Sequence, residues 1–283
     1  AINLIRKDEI DIMFDIMGLS SVRRISLFKN RIAPKQISWL GYCNTTGIDN
    51  MDYLIADTNL IHPKEECDYV EKIIYLPNIW NCHSELSADR EETDLPCLQN
   101  KYITFGSFNN FNKINDNVIY VWSQILKNVA GSKLILKSSL KIDKSYIEKK
   151  FIENGISDSV IFLEKRKLNK HFILYRQIDI ALDTFPYNGV TTSFEAISMG
   201  VPVLTMKGYN FNSRCGESII KNLGIKELIA KDEDEYIFKA KKIAEDQERL
   251  LKIRKQIFKT APQTPLFNKK IFASDFFNCL ENI

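Results

Sequence analysis

Short β-branched runs alternate with amphipathic segments along this chain, and that alternation leaves few architectures open. Strand, crossover helix and parallel strand is the connection such spacing permits, so the class is α/β and not a sandwich of hairpins. In the first part, Ile10–Gly18, Lys35–Tyr42, Asp52–Asp57 and Lys72–Pro77 read as strands joined by short, loop-rich pieces. In the second, Tyr102–Phe108, Lys133–Lys137, Ser159–Glu164, Ile178–Asp183 and Val201–Met206 read as strands. Asp116–Val129 carries its apolar residues at helical spacing, and the stretch from Asp232 to Phe258 reads as one long exposed helix opened by acidic residues that suit its dipole. Asn81–Asn100 loses apolar periodicity and gains charge, as an interdomain connection does. The expected division is 1–96, 97–262 and a C-terminal helix over 263–283 that packs back toward the first domain.

Two α/β units put a ligand off the carboxyl ends of the strands. The segment that follows the Ile178–Asp183 strand lies at such an end. Pro186 and the Asn188-Gly189 pair enforce a tight turn, and Gly189 permits close backbone approach. Thr191 or Thr192 can cap the next helix, with Glu195 three residues after Thr192 as a capping box has it, and Gly200 and Pro202 stop that helix. A helix N-terminus of this kind can hold a diphosphate on its unpaired amides. It is also what an ordinary βα turn looks like, and Glu195 is equally readable as cap or as acceptor for a ribose hydroxyl. The loop Phe105–Asn115 offers Asn109 and Asn110 for sugar or base edges and Lys113 as a point charge for a leaving phosphate, or a solvated lysine in a turn. His171 precedes the same strand and is readable as a packed ring or as a nucleobase platform.

A net charge of +3 gives no field that favours nucleic acid or an anionic membrane, although Lys165, Arg166, Lys167 and Lys170 cluster locally. No apolar run is long enough to span a bilayer, and Ala1 opens directly into structured-looking sequence, as in a piece of a longer chain. The six cysteines, Cys43, Cys67, Cys82, Cys97, Cys215 and Cys279, are scattered without C-x-x-C or matching His spacing, which argues against zinc or a disulfide framework and for the cytoplasm. Walker, G-x-G-x-x-G, G-x-S-x-G and H-E-x-x-H motifs are lacking, and the acidic run Asp232–Glu235 is not a D-x-D metal loop.

The stretches "DTFPYNGVTTSFEAISMGVPVLTMKGYNFNSRCGESII", "FGSFNNFNKI", "APKQISWLGYCNTTGIDNMDYLIAD" and "TPLFN" occur in that family's order and closely resemble the catalytic C-terminal half of the O-linked N-acetylglucosamine transferase and SPINDLY family. The resemblance implies two Rossmann-like domains of the GT-B type, the N-terminal one incomplete here. It implies an inverting, metal-independent glycosyltransferase that needs no cofactor beyond its nucleotide-sugar donor and acts on protein Ser and Thr hydroxyls. Carried over by position, Lys113 is the lysine on the diphosphate leaving group, Asn110 stands where a glutamine-like residue meets the donor, and His171 is at the nucleobase. Asn188, Gly189, Thr191 and Thr192 form the phosphate loop, and Glu195 is the acidic residue on the ribose. Val190 stands where the N-acetylglucosamine branch has His, and Leu168 where it has Lys. The expected donor is UDP-N-acetylglucosamine, with GDP-fucose or a non-catalytic nucleotide-sugar-binding fragment as alternatives. An H-P-x-x-H segment and the tetratricopeptide repeats usual in the family are absent from this chain.

Overall fold

A computed structural model of the chain describes residues 1–83, 86, 89–137, 143–164, 171–281 and 283. They form two compact units: residues 1–82 with 210–212 and 269–283, and residues 83–209 with 213–268.

The first unit is a four-stranded parallel sheet in the order β1 (Ile12–Asp15), β2 (Lys35–Ser38), β3 (Tyr53–Asp57), β4 (Lys72–Leu76). Short helices α1 (Ile2–Lys7) and α2 (Val22–Ile25) belong to it. Strand periodicity sorts its side chains to two faces. Ile12 and Phe14 join Ile37, Ile55 and Ile74 on one, while Met13 goes to Ile25, Phe28 and Met51 on the other. Both faces being apolar, a cover is needed on each. The face with Phe14 receives a helix from the far end of the chain, where Phe272 and Phe276 pack on Trp39 and the Phe276 and Trp39 rings stand 4.7 Å apart. Just before β4 the buried Glu71 carboxylate accepts from the Thr46 amide and from the Thr45 and Thr46 hydroxyls of the β2–β3 loop, which compensates its burial.

The second unit opens with α3 (Pro96–Asn100) and builds a six-stranded parallel sheet. Its strands are β5 (Thr104–Ser107), β6 (Lys133–Lys137), β7 (Val160–Leu163), β8 (Ile180–Leu182), β9 (Val203–Met206) and β10 (Ile229–Ala230), in the order β10-β9-β8-β5-β6-β7. The chain leaves β5 toward β6 and β7, then returns to its other side with β8. The loops after β5 and β8 therefore diverge at a topological switch point, where open sheets leave a crevice. The connecting helices are α4 (Asp116–Asn128), α5 (Ser145–Glu153), α6 (Thr191–Ser198) and α7 (Phe211–Leu223). The two-residue β10 is too short to leave a sequence pattern, and no strand is expected there.

The stretch after Asp232 corrects the expectation of one exposed helix. It is two helices, α8 (Glu233–Glu245) and α9 (Gln247–Thr260), broken at Asp246, whose side chain accepts from the Arg249 amide and starts the second. Tyr236, Ala240, Ile243, Leu250, Ile253 and Ile257 are buried: α8 packs on β9 and β10, and α9 packs on α6 and α8. The last helix, α10 (Lys269–Leu280), is the one that covers the first unit's sheet.

Candidate active site

Asp183 is the hub of the β8 loop. Its side chain is fully buried, Oδ1 accepts from the amides of Gly189 at 2.6 Å and Thr184 at 2.9 Å, and Oδ2 accepts from the Thr205 hydroxyl at 2.7 Å. Burial pushes this carboxyl up to about 6, against the pull of those donors and of the nearby Lys113 charge. Its grip folds Thr184–Gly189 into a closed loop. Asn188 completes the loop: its amide donates to Thr184 O at 2.9 Å and its oxygen accepts from the Gly216 amide at 3.1 Å. The close approach expected at Gly189 is made by protein atoms, since a Cβ there would lie 2.7 Å from Thr192 Oγ1 and 2.8 Å from Asn109 Oδ1. Its amide donates to Asp183 Oδ1.

Lys113 reaches across from the β5 loop. Its Nζ donates to Asn188 O at 2.7 Å and lies 4.1 Å from the centre of the Tyr187 ring. The ammonium is thereby held beside the loop that leads into α6. Asn110 is engaged locally, its side-chain oxygen accepting from Asn112 N at 3.0 Å to start the turn that carries Lys113. Asn109, expected at a sugar or base edge, is buried and accepts from the Thr192 hydroxyl at 2.9 Å, tying the two loops together.

The capping box is corrected. Helix α6 starts at Thr191 with Val190 as its N-cap and without a side-chain cap, so Thr191 and Thr192 are its first two residues. Amides at those positions have no acceptor inside the helix, and Thr191 is exposed. The helix ends as expected: Gly200 is left-handed at φ 79°, its amide donates to Ile197 O and that of Val201 to Ala196 O, closing a Schellman turn.

Glu195, freed from capping, points to His171. Its Oε2 lies 2.9 Å from His171 Nε2 and accepts from the Tyr175 hydroxyl at 3.0 Å. His171 Nδ1 lies 2.8 Å from Lys137 Nζ, and the ring packs against Phe108 and Phe172. Among the described residues, then, Lys113, Asn188, Gly189, Thr191 and Thr192 meet at one end of the crevice, and His171 and Glu195 meet farther along α6. The cluster Lys165, Arg166, Lys167, Lys170 and the position Leu168 lie outside the described residues.

Sequence reasoning missed Asp183, Lys137 and Tyr175. Asp183 had a visible signal, an acidic residue ending a buried parallel strand. Lys137 carried no signal beyond its place at the end of a strand, and Tyr175 sat within an unremarkable apolar run.

The sequence model described as "Glycosyl transferase family 41" matches residues 1–88 and 83–276. A protein of Solanum lycopersicum named "Probable UDP-N-acetylglucosamine--peptide N-acetylglucosaminyltransferase SPINDLY" is 35% identical over 270 residues, which cover 93% of this chain and 29% of that protein. The Arabidopsis thaliana protein of the same enzyme name with the suffix SEC is 27% identical over 279 residues, covering 94% of this chain and 28% of its own length. The chain thus spans under a third of the curated relatives it matches. A solved O-GlcNAc transferase variant from Thermobaculum terrenum superposes with a TM-score of 0.91 at 28% identity, over 99% of this chain and 54% of that one. Anabaena HepE in complex with UDP, at 12% identity and a TM-score of 0.67 over 100% of this chain and 82% of that one, shares the fold alone. The two parallel α/β sheets are those of GT-B glycosyltransferases. With the family model aligned along nearly its whole length, the chain belongs to glycosyl transferase family 41.

Proposed function

We propose that this chain carries the donor site of a protein O-glycosyltransferase that moves a sugar from a nucleoside diphosphate onto Ser or Thr hydroxyls with inversion. UDP-N-acetylglucosamine is the first donor to test, in keeping with the names of the relatives, and GDP-fucose the second. The observation that carries the reading is the Lys113 ammonium, held 2.7 Å from Asn188 O beside the opening turn of α6. As the acceptor oxygen bonds to the anomeric carbon, the bond to the diphosphate breaks, its electron pair leaves with the phosphate, and the hydroxyl proton is given up to solvent. Lys113, the amides of Thr191 and Thr192, and the α6 dipole would take up that charge, each without reorganising. Asn188 and Gly189 support this cradle by shaping its loop, and Asn110 by starting the turn that bears the lysine. His171 would face the nucleobase and Glu195 a ribose hydroxyl. This chemistry assigns no step to a metal ion or further cofactor. We place the protein in the cytoplasm; no described helix is long and apolar enough to cross a membrane.

Calorimetric titration with UDP, GDP and their sugars tests the site and names the base. One nucleotide is expected to bind, and Lys113→Ala to weaken it by at least about tenfold, the size of a charge-assisted hydrogen bond. In the longest natural form of the protein the same variant should lose transfer at saturating donor. Failure of wild type to bind either nucleotide, or undiminished transfer by the variant, would remove the proposal.

A further inference from the structure

Lys137 ends β6, is 3% exposed, and sets its Nζ 2.8 Å from His171 Nδ1. An ammonium has donors only, so a ring nitrogen at that distance must accept. A neutral imidazole that accepts at Nδ1 carries its proton on Nε2, and Nε2 stands 2.9 Å from Glu195 Oε2. That oxygen also receives the Tyr175 hydroxyl at 3.0 Å, so it is saturated by two donors while Oε1 meets no hydrogen-bonding partner among the described residues. The ring is fixed in plane by Phe108, Phe172 and Tyr175, with centroids 5.8, 5.6 and 5.5 Å away. Lys137, His171 and Glu195 thus form a chain in which a buried positive charge at one end and a carboxylate at the other are joined through one imidazole.

We infer that Lys137 is a positioning residue. By imposing the Nε2–H tautomer on His171, it turns the Glu195 carboxylate so that Oε1 is presented as an acceptor for a ribose hydroxyl. The inference rests on the nucleotide reading of the site. It makes Lys137 responsible for recognition of the ribose without touching the nucleotide. A misassigned tautomer would put two lone pairs, Nε2 and Oε2, face to face and swing the carboxylate away.

The test has two arms. Long-range proton–nitrogen NMR of the imidazoles reads the tautomer directly; the chain has three histidines, and His171→Gln assigns the relevant signal. Wild type is expected to show Nδ1 unprotonated and Nε2 protonated, and Lys137→Met to lose that preference. Calorimetry with whichever of UDP or GDP binds, against its 2′-deoxy and 3′-deoxy forms, reads the consequence. Wild type is expected to reject one deoxy form by roughly tenfold or more, Lys137→Met by less than about threefold, and Lys137→Arg, which keeps a donor, to recover much of the difference. A protonated Nδ1 in wild type, or unchanged rejection in a folded Lys137→Met, overturns the inference. If Lys137→Met fails to fold, the wild-type imidazole decides alone. If no nucleotide binds, the functional reading falls and the ribose role with it, while the tautomer still decides the relay.

Discussion

Replacing Asp183 with Asn probes the hub of the loop through a change of a single charge. The buried carboxyl is pushed up to about 6 from an ordinary 3.8, chiefly by desolvation. Because the folded value is the higher one, the folded state holds the proton more tightly, and the stability this gives is complete below pH 3.8 and lost as pH rises through about 6. A shift of that size corresponds to about 3 kcal/mol, taking 1.36 kcal/mol per unit. Asn keeps Oδ1 as acceptor for the Gly189 and Thr184 amides and turns its NH₂ to Thr205 Oγ1, so the loop's bonds survive while the titration disappears. Urea unfolding of both proteins between pH 4 and pH 7, compared as variant minus wild type, cancels every other titrating group. The difference should move in favour of Asp183→Asn by about 2.4 kcal/mol over that range, the remainder falling below pH 4. A flat difference would mean that burial does not perturb the group. A difference moving the other way would mean that the donors and the nearby Lys113 charge outweigh desolvation and hold the carboxyl below its ordinary value.

Two further substitutions test packing. Gly189→Ala places a methyl 2.7 Å from Thr192 Oγ1 and 3.0 Å from Asp183 Oδ1, and should cost about 1–3 kcal/mol in urea unfolding together with nucleotide affinity; an unchanged midpoint would show that the three-residue contact is slack. Phe276→Ala removes the ring that sits 4.7 Å from Trp39 and should cost about 2 kcal/mol while leaving nucleotide affinity at wild-type level, because its packing lies within the first unit. A loss under about 0.5 kcal/mol would show that α10 does not stabilise that sheet.

Strand periodicity is a local property, and the sequence alone was enough to place β1 through β9 within a few residues, to set the class as parallel α/β, and to end α6 at Gly200. Side chains that alternate or recur at helical spacing record which surface each element buries, whatever it is buried against. The grouping of Lys113 with the Thr191 turn was legible for the same reason: both follow strands of one parallel sheet, whose carboxyl ends must share an edge. The broken helix at Asp246 was not, since an Asp in a charged stretch reads equally as helix surface or as cap until the backbone turns.

Partnerships between distant residues were decided by the tertiary structure only. Glu195 three residues after Thr192 satisfies a capping pattern, yet its carboxylate goes to His171 and Tyr175, which the crossover to β8 delivers from outside the helix. Asp183 takes the Gly189 amide, and Lys137, at the end of its strand, is buried against an imidazole. A polar side chain can satisfy its hydrogen bonds in several ways at nearly equal local cost. Which way prevails depends on desolvation and on the donors brought within 3 Å by the fold, and neither is encoded in the spacing of residues along one element.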